Sequence, residues 1–177
     1  AIEELKETEF KSLYNEDINT KEFVRDVTID TDFSLLFPDD YINNITERLS
    51  LYTELNALKN EADLQRFERD LLDRFGALPT QVVDLLDSVR IKWLATTLGF
   101  EKIAMKNHKL VGYFISDQDS RFYQSIHFSK VLQYVQAHPQ ACTVKEKQMR
   151  MGLRLIMSFS NINSVQQGLD ALKPILT

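Results

Sequence analysis

The apolar periodicity of this chain changes at Gly99, and that change restricts the fold more than any other feature. Before Gly99, apolar residues recur every three or four positions, the spacing of one helix face. Ile42, Ile45, Leu49, Tyr52, Leu55 and Leu58 predict a first helix, with Pro38 stopping the preceding segment and Asp39-Asp40 expected to cap it. Leu64, Phe67, Leu71 and Phe75 predict a second, opened by Asn60 with Asp63 as capping-box partner and closed by Gly76 in a left-handed C-cap. Val82, Leu86, Val89 and Trp93 predict a third, begun by Leu78-Pro79-Thr80 and stopped at Gly99. After Gly99 the period becomes two. Lys102 to Met105 and Leu110 to Ile115 predict a hairpin through Lys106-Asn107-His108-Lys109. Ala141 to Lys147 and Arg150 to Phe159 predict a second strand pair, its inward face expected at Met151, Leu153, Leu155, Met157 and Phe159. Phe128, Val131, Leu132 and Val135 place a helix between the pairs, ended before Pro139, and Ile162, Val165, Leu169 and Leu172 predict a last one. The expected class is α+β, with an N-terminal helical half of about three helices over 36–99 and a ββαββα-like half over 100–177.

Upstream, Ile2, Leu5, Phe10 and Leu13 predict a short helix over 2–14, followed by a loop over 15–22. Val24, Val27, Thr28, Ile29 and Thr31 then predict an extended segment from Phe23 to Phe33. A chain that opens at Ala1 inside a helical pattern is expected to be a piece of a larger protein. Its single cysteine, Cys142, excludes an internal disulfide and any multi-thiolate zinc site, as suits a reducing, cytoplasmic setting. No apolar run approaches the roughly 18–20 residues of a membrane span.

Candidate chemistry is sparse. Phosphate-cradling loops need clustered glycines, and Gly76, Gly99, Gly112, Gly152 and Gly168 are all isolated. His108, His127 and His138 share no metal-ligand spacing; His108 sits in a turn, His138 precedes Pro139, and His127 is expected on a polar helix face. No nucleophile elbow is present, and Cys142 reads as a buried, inert thiol. Among paired carboxylates, Asp117 and Asp119 lack the glycine and glutamate of a calcium loop, and Asp84 and Asp87 are expected on the wet side of their helix. No cofactor or metal site is expected.

Charge is divided along the chain. Residues 1–100 hold 11 Lys and Arg against 21 Asp and Glu, a net −10, whereas residues 101–177 hold 10 against 5, a net +5. The first half repels a phosphate backbone and attracts a basic protein surface, unless it is simply a solvated acidic face. Within it, Asp70 and Asp73 project opposite the stripe Leu64, Phe67, Leu71 and Phe75, with Arg74 at the edge of that face. Acids near a helix C-terminus oppose the helix dipole. They are matched either by a partner's arginine or by local neutralisation from Arg66, Arg69 and Arg74.

Leu36-Phe37-Pro38-Asp39-Asp40-Tyr41-Ile42, then Arg48-Leu49 and Tyr52, resemble the LLPDDYI…RL..Y opening of one family. Asp70-Leu71-Leu72-Asp73-Arg74-Phe75-Gly76, Leu78-Pro79, Leu85-Leu86 and Arg90 resemble its ELxDRFGxLP…LL…R core. The family is the C-terminal domain of bacterial transcription-repair coupling factors, and the resemblance is densest over 36–100 and thin after Gly99. It implies that residues 23–177 form a non-catalytic regulatory domain and that 1–22 are the tail of a preceding translocase module with its linker. The implied parent is an ATP-dependent DNA translocase that displaces stalled RNA polymerase and recruits UvrA, with DNA bound by its other domains. The implied partner is the parent's own UvrB-like N-terminal module, whose UvrA-binding surface this domain hides. By position, the resemblance makes Asp70, Asp73 and Arg74 the partner interface, although the first acid is Asp where the family commonly has Glu. Two further classes remain open on the residues alone. One is a nucleic-acid-binding module using Arg121, Lys130, Lys145, Lys147, Arg150 and Arg154 with Tyr123 and Tyr134; the other is a carboxylate-dependent hydrolase.

Overall fold

The computed structural model describes residues 23–177, so the helix expected over 2–14 and the loop over 15–22 lie outside the described residues. The fold is α+β. A short strand β1 (Thr28–Thr31) precedes three helices, α1 (Ile45–Ala57), α2 (Glu61–Phe75) and α3 (Thr80–Leu98). Then follow β2 (Phe100–Lys106), β3 (Lys109–Phe114), α4 (Ile126–Ala137), β4 (Cys142–Met149), β5 (Gly152–Ser160) and α5 (Val165–Leu172). The strands form one mixed sheet in the order β1-β2-β3-β5-β4, in which β1 runs parallel to β2 and the other neighbours are antiparallel.

Helix α1 starts later than its sequence implied. Asn44 is the cap, its side-chain oxygen accepting from the Glu47 N–H at 3.1 Å. Asp39 instead pairs with Arg48 at 3.4 Å, and the Pro38 carbonyl accepts from the Tyr41 and Ile42 N–H groups, closing a turn that keeps 38–42 out of the helix. The expected stripe therefore mixes helical and non-helical residues. Leu51 and Leu55 are buried, as is Ile42 from the turn, whereas Ile45 and Leu49 are 64% and 61% exposed. Helix α2 follows its pattern closely: Asn60 accepts from the Asp63 N–H at 2.9 Å, and Leu64, Phe67 and Leu71 are buried. It ends at Gly76 with φ +87° and ψ −162°, a positive-φ stop outside the left-handed helical well that was expected.

Helix α3 belongs to two cores at once. Val82, Leu86 and Val89 pack with Phe37, Leu55, Leu64, Phe67 and Leu71 in the helical part. One turn further on, Ile91, Ala95 and Leu98 pack with the inner face of the sheet and with Val131, Leu169 and Leu172. Its polar residues are not all wet. Asp87 is only 4% exposed, and it accepts from Arg90 at 2.8 Å. The same guanidinium grips both oxygens of Glu61, at 2.9 and 2.8 Å, because the N-terminus of α2 crosses this stretch of α3. Burial, with Asp87 nearby, also raises the Asp84 carboxyl above its ordinary range.

The β2–β3 turn places Asn107 and His108 at φ +53° and +63°, the two left-handed residues that a two-residue hairpin of matching twist requires. Ile103, Met105, Leu110, Phe114, Met157 and Phe159 face inward against α3, α4 and α5. The alternation expected along β5 fades toward its start, where Met151 is 97% and Leu153 46% exposed. The reason is geometric: β3 pairs with β5 only over Tyr113↔Ile156 to Lys109↔Ser160, so the start of β5 runs past the edge of β3 and loses its strand neighbour on that side. Cys142 is buried, and burial pushes its thiol up. His127 departs from the expected polar face: its Nδ1 is buried and makes no hydrogen bond among the described residues.

Gly99 joins α3 to β2 at φ +83°, and a Cβ there would lie 2.2 Å from the ring of Phe122, itself 1% exposed. Gly99→Ala combines left-handed strain with overpacking and is expected to cost about 2–4 kcal/mol in urea unfolding; a loss under about 1 kcal/mol would show that the ring yields freely. A second expectation concerns pH. The hydrogen bond from Arg90 holds the Glu61 carboxyl below its ordinary value of 4.5. A depressed native value means the unfolded chain binds that proton first. This stabilisation is therefore complete above about pH 4.5 and is lost as pH falls through the lowered native value. Arg90→Met should flatten the acid limb of the stability profile. It should also cost about 1–3 kcal/mol at neutral pH by stranding buried Asp87. An unaltered acid limb would count against the Glu61 assignment.

Candidate protein interface

The candidate face lies on α2, and its C-terminal end is fixed by the segment before α1. The Phe37 N–H donates to the Tyr52 hydroxyl at 2.8 Å, the two rings lying 4.7 Å apart, and Arg48 donates to the Ile42 carbonyl at 2.6 Å. This braced turn presents Tyr41 to α2. The Tyr41 hydroxyl donates to the Gly76 carbonyl at 2.9 Å and lies 3.3 Å from the Leu71 carbonyl, while its ring meets Phe75 edge-on at 5.7 Å. Partial burial raises the Tyr41 phenol above its ordinary value, so the donor proton is retained. The two sequence motifs thus meet at the end of α2, and the hydroxyl satisfies the Gly76 carbonyl, which the helix terminus leaves open.

Asp70 and Asp73 stand on the outward side of this end, both exposed. The side chain of neither takes part in a hydrogen bond or ion pair among the described residues. Of the three cations that local neutralisation would draw on, Arg69 makes no ion pair among the described residues and the other two are committed elsewhere. Arg66 pairs with Asp63, Arg74 pairs with Glu47 across to α1, and Arg90 is held by Glu61 and Asp87. The Arg74 guanidinium also lies 4.9 Å from the Phe75 ring centre. Asp70 and Asp73 thus form no ion pair among the described residues, in the last turns of α2, where the helix dipole opposes negative charge. Nearby on the same two helices, Ile45, Leu49 and Leu72 are 64%, 61% and 44% exposed.

The sequence did not reveal Glu47 as the partner of Arg74, nor Glu61 as that of Arg90. Those pairs join residues 27 and 29 apart, and no spacing rule reaches that far. Of the basic and aromatic set read from the second half, Tyr123 is spent on the core. It lies edge-on to Phe122 and Phe128, and its hydroxyl, pushed up to about 12 chiefly by burial, donates to the Ile115 carbonyl. Tyr134 stacks on His138 at 4.0 Å, and Lys130 reaches the Leu176 carbonyl at 3.5 Å. Lys145, Lys147 and Arg154 do come together, on the sheet. The described residues contain no group of three His, Cys, Asp or Glu side chains able to hold a metal ion, and no helix among them is long and apolar enough to cross a membrane.

The transcription-repair-coupling factor of Rickettsia bellii is 26% identical over 148 residues, 84% of this chain and 13% of that protein. That of Rickettsia conorii is 30% identical over 118 residues, 67% of this chain and 10% of its own length. The Escherichia coli factor is 40% identical over 68 residues, 38% of this chain and 6% of its own. The chain thus spans about an eighth of the length of the first of these relatives. In three dimensions it resembles a crystal structure of the C-terminal domain of a transcription-repair coupling factor with a TM-score of 0.64 at 16% identity, covering 85% of this chain and 92% of that one. The family model for the TRCF domain matches residues 31–125, more than half of the 177, and with that match the chain belongs to the TRCF domain family of transcription-repair-coupling factors.

Proposed function

We propose that this chain is a non-catalytic regulatory domain whose α2 face closes on a basic protein surface. The observation that carries the reading is the state of Asp70 and Asp73: exposed, at the unfavourable end of a helix, and unpaired among the described residues while Arg66, Arg74 and Arg90 serve other carboxylates. An arginine supplied from outside relieves that repulsion. Arg74, steadied by Glu47 and Phe75, borders the pair and limits which cations enter beside it. The exposed Ile45, Leu49 and Leu72 add apolar surface to the same helical pair.

Set in the family, the occupant is the UvrB-like N-terminal module of the parent protein, through the basic surface with which that module meets UvrA. While the two are closed, UvrA is excluded and the ATP-driven translocase is restrained. Engagement of RNA polymerase competes for the contact and opens it, a shift between two states biased by charge and shape. Catalysis in this reading belongs to other parts of the parent.

Calorimetric titration of this chain into the isolated UvrB-like module tests it. Binding is expected to weaken as salt rises, because the contact is electrostatic. Replacing Asp70 and Asp73 together by Lys should lower affinity at least tenfold, about 1.4 kcal/mol or more. Equal affinity for the reversed variant would remove Asp70 and Asp73 from the interface.

A further inference from the structure

The sheet has a second face, and its charge is one-sided. Ladder partners share a face, so the registers place Lys102, Lys106, Lys109, Lys145, Lys147 and Arg154 together on the side opposite Ile103, Met105, Phe114 and Met157. No helix among the described residues packs on that side; α3, α4 and α5 join the core on the other. Of the ten Lys and Arg in residues 101–177, six therefore sit on one surface that crosses all five strands, about 19 Å at normal strand spacing. Two carboxylates answer them. Asp30 lies 2.8 Å from Lys106 and 4.0 Å from Lys102, and Glu101 lies 3.2 Å from Arg154. Lys109, Lys145 and Lys147 are exposed and take no part in any ion pair among the described residues.

We infer that this face, extended by the β4–β5 ribbon with Arg150 at its tip, binds the sugar–phosphate backbone of DNA without reading sequence. Protein-docking surfaces centre on exposed apolar and aromatic residues and are depleted in lysine. This face has the reverse composition. Its lysines lie on β2, β3 and β4, its apolar Ile156 is 4% exposed and its Ala104 and Val111 are half-buried, and the large exposed apolar residues lie on the helices, in the segment before α1 or at the ribbon tip. Its one aromatic, Tyr113, has the Lys102 ammonium 5.4 Å and the Arg154 guanidinium 5.7 Å from its ring centre. The ring thus concentrates cations and is not free to stack a base. Lysine point charges on flexible stems hold phosphates and discriminate poorly between bases. A two-stranded ribbon also matches the width of a DNA groove. The acidic first half of the chain repels DNA, so binding needs this local field to outweigh a net charge of −5. The inference stands apart from the α2 contact: it concerns other residues and another partner.

Fluorescence anisotropy with a labelled duplex of about 20 base pairs, at potassium chloride from about 25 to 200 mM, tests it directly. The chain should bind at the low end with affinity falling steeply with salt. The joint variant Lys109→Ala, Lys145→Ala and Lys147→Ala should lower the slope of log affinity against log salt by about two to three, at about 0.9 for each phosphate no longer neutralised. The matching Lys→Arg variant should keep the slope, and circular dichroism should show both variants folded. No binding at the lowest salt, or an alanine variant with the original slope, would overturn the inference. Poly-glutamate that displaces the duplex at equal charge concentration would also overturn it, in favour of an acidic polypeptide partner.

Discussion

Helix α3 is the member on which the rest of the molecule depends. A helix of 19 residues is about 28 Å long, enough to cross a small domain. Here its first half closes a helical core with α1 and α2, and its second half closes the core beneath the sheet. The transition between them is marked by Arg90, whose guanidinium draws Glu61 of α2 onto α3 while covering Asp87. Neither half can reorganise without disturbing the helix that the other is packed against. Two cores joined in this way behave as one cooperative body.

The chain also separates its charges in space. Carboxylates without internal partners collect on α2, and lysines without them collect on the uncovered sheet face. Each surface rests on a stiff support. Tyr41 ties down the end of α2, and the ladder fixes the lysines at strand spacing. Side chains held at fixed separations lose less entropy when a partner arrives, so both surfaces begin close to their bound arrangement.

The sequence was most readable where local rules and packing agree. Asn60 and Asp63 opened α2, Gly99 stopped α3, and Asn107-His108 turned the hairpin, because caps and tight turns are decided by a few adjacent residues. It was least readable where distant segments decide the outcome. Ile45 and Leu49 fit a helical stripe but find nothing to cover them, and Met151 and Leu153 fit a strand alternation beyond the end of the sheet. Asp87 has the composition of a surface residue and is buried because Arg90 and Glu61 close around it. For the candidate interface, spacing placed Asp70 and Asp73 outward correctly. That they form no ion pair became visible only in the structure, where Arg66 and Arg74 turn to Asp63 and Glu47. The lysine face shows the same limit, since Lys102 and Lys147 come to share a face only through strands paired across the order β2-β3-β5-β4.

Among the described residues, strand β1 is the one parallel member of the sheet, and it stands at the edge beside β2. The way two strands run decides how a ladder answers a pull. An antiparallel hairpin drawn apart at its open end peels one bond at a time. A parallel pair drawn from the leading end of one strand and the trailing end of the other slides lengthwise, so every bond between them resists together. Tension arriving from upstream of Val24 meets the second kind of joint, reinforced by the Thr31 hydroxyl on the Met105 carbonyl at 2.8 Å and by the Asp30–Lys106 pair. The point of entry into the sheet is therefore a mechanical anchor, able to pass a displacement of the preceding chain to β2 and to the end of α3.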